Sequence, residues 1–162
     1  MTLDEIIRAI LSNLHAVLFA AAILIAVLKG SPLPGRLLEW LLLLPIGVGY
    51  VWAGFFHIFF PEAAAQSIGW QVSPFQFEIG VADMSIGLLA ILSFWRTLPF
   101  KTVVALYIVL FSVGVTIGHV RQALGGDFAS NNFGLLLGLT VAEIVIFPIL
   151  LLLVQREGAG KT

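Results

Sequence analysis

The chain has 162 residues, of which 60% are hydrophobic and only 10% are charged, and its formal net charge is −1. Soluble domains carry about 25% charged residues, and a soluble fold of this size leaves roughly a third of its surface in water. This composition therefore excludes a soluble domain and indicates a membrane protein. The near-neutral charge argues against nucleic acid as a partner, and the lack of cysteine excludes disulfides and thiolate metal sites.

Two apolar runs in the first part of the chain are long enough to cross a bilayer, which takes about 20 residues of helix. Residues 3–29 form the first predicted span. We interpret it as a retained span and not as a signal peptide, because it exceeds the apolar stretch of such peptides and Asp4 and Glu5 replace their positive start. The second predicted span, residues 37–60, contains Pro45, which predicts a kink that a helix bundle tolerates.

Three further spans follow a loop that is itself predicted to hold a short helix. This helix covers residues 62–70 and is expected to lie on the membrane surface. The third span begins at a Ser-Pro-Phe-Gln sequence, which predicts Ser73 as N-cap and Gln76 as the residue that closes a capping box. The last three spans cover residues 74–95, 100–124 and 132–154. The predicted fold is a single all-α integral membrane domain, a bundle of five transmembrane helices plus a short interfacial helix in the second loop.

The distribution of lysine and arginine predicts the orientation of these spans. The positive-inside rule assigns the loops richer in these residues to the cytoplasm. The first loop, the third loop and the C-terminal segment carry six of them: Lys29, Arg36, Arg96, Lys101, Arg156 and Lys161. The other side carries only Arg8 and Arg121. We therefore expect the N-terminus outside and the C-terminus in the cytoplasm.

Six ionisable side chains interrupt the spans away from their ends, and each needs a partner or a water-filled cavity because its burial in lipid costs several kcal/mol. They are His15, His57, Glu78, Asp83, His119 and Glu143. Three of them, His57, Glu78 and His119, are predicted to lie at one depth near the outer ends of spans two, three and four. Two imidazoles and a carboxylate suit zinc, iron or copper. We predict an ion or ligand site there, with a first-row transition metal as candidate cofactor. Proton relay, ligand binding and a purely structural role stay open.

The other three ionisable residues, His15, Asp83 and Glu143, are predicted to lie deeper. We interpret them as residues beneath that site that support its ligands, or as a proton path. The structural alternative is a bridge from Glu143 to His15 or to Arg8. A polar stripe is also predicted on the fourth span, where Ser112, Thr116 and His119 recur at i, i+4 and i+7.

The two carboxylates of the third span are predicted to face different neighbours. At about 100° per residue, Asp83 is rotated by roughly 140° from Glu78. Asp83 therefore shares a face with Gly80 and Gly87, whereas Glu78 shares one with Ser85. The two carboxylates are not expected to bind one ion together.

Small residues recur at helical spacing in the last two spans. Gly114 and Gly118 form a GxxxG pattern, and Gly134 and Gly138 continue to Ala142 as a longer stripe. Such patterns let helix backbones approach closely. They predict either contacts within the bundle or contacts with a second copy or a membrane-protein partner.

The middle third of the chain carries a familiar pattern. It consists of Trp52-x-Gly54-x-x-His57, Ile68-Gly69-Trp70 and the run Ser73-Pro74-Phe75-Gln76-Phe77-Glu78-x-Gly80. This pattern resembles a family of small bacterial multi-span membrane proteins catalogued as a domain of unknown function. The resemblance implies a bacterial inner-membrane location and groups His57 with the helix start that carries Glu78. It implies no activity, substrate or cofactor.

These features support several hypotheses about function. The first is an outward-facing site, formed by His57, Glu78 and His119, that binds a metal ion or a protonatable ligand. The alternatives are an ion or small-solute transporter, in which an oligomer is one way to build the pore, and a non-catalytic partner subunit of a membrane complex. A membrane enzyme that uses a metal-bound water would need an open coordination position, and no sequence motif indicates one.

Overall fold

The computed structural model describes residues 13–67, 71–128 and 132–159, and the regular structure in these ranges is entirely helical. Four of the described helices are long and apolar enough to cross a membrane, so the protein is an all-α, multi-span membrane protein. The helices are α1 (Leu14–Lys29), α2 (Leu33–Phe59), α3 (Pro61–Ser67), α4 (Pro74–Ser93), α5 (Leu98–Leu124) and α6 (Leu135–Ala159), the four long ones being α2, α4, α5 and α6.

The first predicted span is described only in part. α1 is apolar and 16 residues long, which is shorter than a full span. Residues 1–12, which include Arg8 and the acidic start of this span, lie outside the described residues. α1 ends, as predicted, at Lys29, and the next residue, Gly30, has a positive φ of 74° that suits glycine.

The helix between the second and third spans has the predicted position. α3 covers Pro61–Ser67, and the predicted interfacial Trp70 lies outside the described residues. α4 begins at Pro74 after an extended Ser73, but the predicted capping box is wrong. The Gln76 Nε2 atom donates instead to the Pro61 carbonyl oxygen over 2.6 Å, because the start of α3 offers it an acceptor nearby. Gln76 therefore fastens α3 to the start of α4.

The predicted distortion at Pro45 is a π-helical segment in the middle of α2. Residues Leu42–Val48 form this segment, with α-helix on both sides of it. A proline inside an α-helix removes one backbone hydrogen bond and its ring clashes with the preceding turn. The wider π-helical turns accommodate Pro45 while α2 continues to Phe59.

α2 and α4 are packed with their backbones in contact. A Cβ atom added at Gly54 would lie 2.6 Å from the Gly80 carbonyl oxygen, and one added at Gly87 would lie 2.9 Å from the Gly47 carbonyl oxygen. Four glycines in two facing pairs therefore set the distance between these helices. Because Asp83 lies between Gly80 and Gly87 in the sequence, this packing also carries its side chain into the bundle, where it is buried.

The two halves of the bundle differ in polarity. The half that holds the start of α2 and the start of α5 has an apolar core, to which Leu38, Leu42, Ile108 and Phe147 contribute. Beyond this core lies the basic end, defined here by Arg36, Glu39, Arg96 and Lys101. There the Lys101 Nζ atom is 3.3 Å from Glu39 Oε1 and donates to the Arg96 carbonyl oxygen over 2.9 Å. The buried carboxyl groups, Asp83 and Glu143, lie in the other half.

Candidate functional site

A buried ion pair or hydrogen bond joins α1 to α6. The His15 Nε2 atom is 2.8 Å from Glu143 Oε1, and Glu143 is only 2% exposed. The His15 ring is held from its other side by α2, because a Cβ atom at Gly49 would lie 3.2 Å from His15 Nδ1. The structure therefore supports the predicted partnership of Glu143 with His15, and Arg8, its alternative partner, lies outside the described residues.

Tyr50 connects this pair to the second buried carboxylate. Its hydroxyl group lies beside Ser112, and the contacts of Gly54 with Gly80 and of Gly87 with Gly47 place Tyr50 and Asp83 at the same depth of the α2/α4 packing. Its ring is 6.3 Å from the His15 ring, measured between centroids. His15, Tyr50, Asp83 and Glu143 therefore form one group, which we call the buried cluster, with contributions from α1, α2, α4 and α6.

The buried cluster lies well inside the membrane-spanning region. At 1.5 Å per residue, Tyr50, Asp83 and Glu143 are each about 12–14 Å from the end of their helix that lies farther from the basic end. Among the described residues, no lysine or arginine pairs with Asp83 or Glu143. Two carboxyl groups in a low-dielectric environment are thus accompanied by a single imidazole. Such an arrangement is costly when both carboxyl groups are ionised, so it favours the uptake of a proton or a cation.

His57 lies beside a small cavity near the surface, apart from the buried cluster. The cavity has a volume of about 70 Å³ and is lined by His57, Ala65, Gln71, Ser73, Phe75, Gln76 and Ile79. The His57 Nδ1 atom is buried and has no hydrogen-bond partner among the described residues. The residues that line this cavity carry hydrogen-bonding groups and no carboxylate.

The three residues predicted as metal ligands are not gathered into one group. Glu78 is exposed on α4, on the side opposite to the buried Asp83, as its helical phase predicted. His119 is turned towards the connection to α6, where its Nδ1 atom is 2.6 Å from Asn132 Oδ1. Among the described residues, no group of three or more His, Asp or Glu side chains is arranged to hold a metal ion. The structure therefore does not support a metal centre of His57, Glu78 and His119.

Two residues gain importance that the sequence did not signal. Tyrosine is neutral at physiological pH, so Tyr50 is not among the ionisable residues that the sequence singles out in the spans. Asn132 is the first residue of the fifth predicted span, and its type alone does not indicate a partner. It is buried and donates to the Asp127 carbonyl oxygen over 2.6 Å while contacting His119. Only the tertiary structure reveals these partners.

Comparison with known proteins agrees with the resemblance seen in the sequence. The model of a family of unknown function, DUF6790, matches residues 10–160. The chain therefore belongs to this family. Comparisons with curated proteins and with solved structures gave no match.

Proposed function

We propose that this protein moves protons across the membrane and that the buried cluster is its proton-binding site. The observation that carries the proposal is the 2.8 Å contact between His15 Nε2 and Glu143 Oε1, with Glu143 almost fully buried, the Tyr50 ring 6.3 Å from the His15 ring, and Asp83 buried at the depth of Tyr50. Ionisable groups within membrane spans are expensive to bury and mark ion or proton pathways.

The chemistry of the cluster suits reversible proton binding. Histidine changes its charge near neutral pH, and a proton held between an imidazole and a carboxylate reduces the net negative charge of the group. Tyr50 offers a hydroxyl group that can donate to one carboxylate and accept from a neighbour. A proton can thus be exchanged within the cluster through hydrogen-bonding groups, without a bound metal.

Release towards the basic end requires a change in the bundle, because the apolar core separates the cluster from that end. The π-helical segment Leu42–Val48 lies between the two, directly before Tyr50 in the sequence. Segments of this kind are frequent at functional positions in helices. We propose that the bundle has five spans, with the basic end in the cytoplasm and the cluster open to the outside.

Proton flux into liposomes tests this proposal. Purified protein is reconstituted with an internal pH-sensitive dye, and a potassium diffusion potential is applied with valinomycin. We expect acidification of the lumen by the wild type and its loss in Glu143→Gln, which keeps the size and hydrogen-bonding capacity of the side chain. Glu62→Gln is the matched control, because Glu62 is exposed on the short helix α3. A wild type that matches empty liposomes would overturn the proposal.

A second candidate function is the binding of a small, uncharged, hydrogen-bonding ligand in the cavity beside His57. The buried and unpartnered His57 Nδ1 atom favours it, since buried polar atoms are nearly always hydrogen-bonded. The test uses urea and acetamide as probes and follows the chemical shifts of the labelled His57 ring. A shift that saturates in the wild type and is absent in Gln71→Leu supports a site, and no shift at any concentration excludes these ligands.

A further inference from the structure

The hydroxyl groups of the membrane helices fall into two kinds. Four of them donate to a carbonyl oxygen of their own helix, three or four residues earlier, over 2.7–3.0 Å. This is the usual way in which serine and threonine satisfy a hydroxyl group within a helix. The residues are Ser85, Ser93, Thr102 and Thr140.

Ser112 and Thr116 of α5 depart from this pattern. Both hydroxyl oxygens are buried, and neither bonds to a carbonyl oxygen of the preceding turn; that of Thr116 has no hydrogen-bond partner among the described residues, and that of Ser112 lies beside the Tyr50 hydroxyl group. Their helix does not prevent the usual bond, because Thr102 makes it within the same helix. Two neighbouring hydroxyl groups are therefore turned into the bundle, and groups buried without a partner need water to satisfy them.

These two hydroxyl groups lie between the cluster and the surface. Ser112 is beside Tyr50 of the buried cluster, and His119, which contacts Asn132, is one turn beyond Thr116 near the end of α5. From Ser112 to His119 the helix rises about 10 Å. The polar stripe predicted on α5 therefore begins at the cluster and ends at the connection between α5 and α6.

We infer that Ser112, Thr116 and His119 line a hydrated path that connects the buried cluster with the end of the bundle opposite to the basic end. Its role in carrying protons rests on the proposed function, whereas the presence of water along it is a separate claim. Water molecules between these side chains would satisfy the buried hydroxyl groups and form a hydrogen-bonded chain to Tyr50. The neighbouring Val113 and Ile117 are exposed on the outside of the helix, where lipid covers them.

Single-cysteine labelling tests the path. The chain has no cysteine of its own, so the reagent can react only with the introduced one. The variants are Thr116→Cys, with Ser112→Cys as a second probe, and Ile117→Cys as the lipid-facing control at nearly the same depth. A membrane-impermeant cationic methanethiosulfonate is added to oriented vesicles from one side or the other. The reagent reacts with the thiolate, and a charge in lipid costs several kcal/mol, so we expect labelling at the path to be faster by at least about tenfold.

The outcomes separate the inference from the proposed function. Faster labelling of Thr116→Cys from the His119 side supports the path, and labelling no faster than that of Ile117→Cys, or only from the basic end, overturns it. If Thr116→Cys does not fold, Ser112→Cys is judged by the same criterion. Faster labelling of the path in a protein without proton flux supports the hydrated path and overturns the proposed function. Proton flux that depends on Glu143, without faster labelling, supports the proposed function and overturns the path.

Discussion

The α2/α4 pair and the α5/α6 pair use glycine in opposite ways. Gly54 and Gly80 bring two backbones into contact, so that a methyl group on either one would clash. Among the described residues, nothing lies within 4 Å of a Cβ atom added at Gly114, Gly118 or Gly138. The GxxxG pattern of α5 therefore makes no close contact with the described part of the chain, whereas glycines seven residues apart in α2 and α4 do. Two helix backbones come into contact where each helix supplies a glycine at the same depth, as in α2 and α4.

The largest loss of stability is expected from Gly54→Ala. The new methyl group would lie 2.6 Å from a carbonyl oxygen of α4 and 2.8 Å from the Met84 nitrogen, and a backbone cannot move aside as a flexible side chain does. We expect the free energy of unfolding to fall by about 1–3 kcal/mol. Thermal unfolding in detergent, followed by circular dichroism, measures it. Unchanged stability would show that α2 and α4 are not packed in this way.

A smaller loss of stability is expected from Lys101→Met, which removes the contact between α5 and α2 at the basic end. Lys101 is 8% exposed and contacts both Glu39 and the Arg96 carbonyl oxygen. Its loss leaves two acceptors without a donor, at a cost of about 1–2 kcal/mol. Arg36→Met is the control, because Arg36 is far more exposed and only 3.5 Å from Glu39, so that its loss costs less than about 0.5 kcal/mol. Thermal unfolding that is lowered equally by Lys101→Met and Arg36→Met would contradict the role of Lys101 in joining α5 to α2.

Asn132→Ala should weaken the turn between α5 and α6 by about 1 kcal/mol, because the Asp127 carbonyl oxygen and the His119 ring each lose a partner. Gln155→Ala removes an exposed amide from α6 and serves as the reference. Hydrogen exchange of the amides in residues 119–127 reports the local effect. Exchange that is no faster in Asn132→Ala than in Gln155→Ala would argue against this bracing role.

The smallest effect is expected from Gly114→Ala, which completes the comparison. Open space surrounds the new methyl group, so the stability should change by no more than about 0.5 kcal/mol. If a second copy or a partner packs on Gly114 and Gly118, Gly118→Leu alters the oligomeric state in detergent while the unfolding temperature of the chain stays the same. Contact with a partner through this face stays a prediction until that measurement is made.

The fold was predictable wherever a single local property decides it. The four long spans follow from hydropathy and length, and their described ends lie within three residues of the predicted ones, apart from the start of α2 at Leu33 and the end of α6 at Ala159, which lie four and five residues outside the predicted spans. The helical phase correctly separated the buried Asp83 from the exposed Glu78. Both results depend on one helix at a time: apolar length is enough for the spans, and the period of 3.6 residues is enough for the two faces of α4.

The candidate site was less predictable because it depends on which helices are neighbours. Equal depth suggested that His57, Glu78 and His119 meet, yet depth says nothing about the direction of a side chain around the bundle. His15 and Glu143 are 128 residues apart in the sequence, and their pairing was only one of two alternatives considered for Glu143. The Gln76 capping box failed for a similar reason, since an acceptor from α3 competed with the local backbone.

The π-helical segment of α2 has a consequence for how this chain tolerates insertions and deletions. If the seven residues Leu42–Val48 became α-helical without a deletion, everything after them would turn by about 100° about the helix axis, because a π-helical turn holds one more residue than an α-helical turn over nearly the same rotation. Tyr50 would then leave the buried cluster, and Gly54 would no longer face Gly80. The wide turns around Pro45 thus keep the two halves of α2 in phase with different neighbours, and we expect the chain to tolerate the deletion of one residue here, which lets the segment become α-helical without that rotation, better than a change that makes it α-helical at its present length.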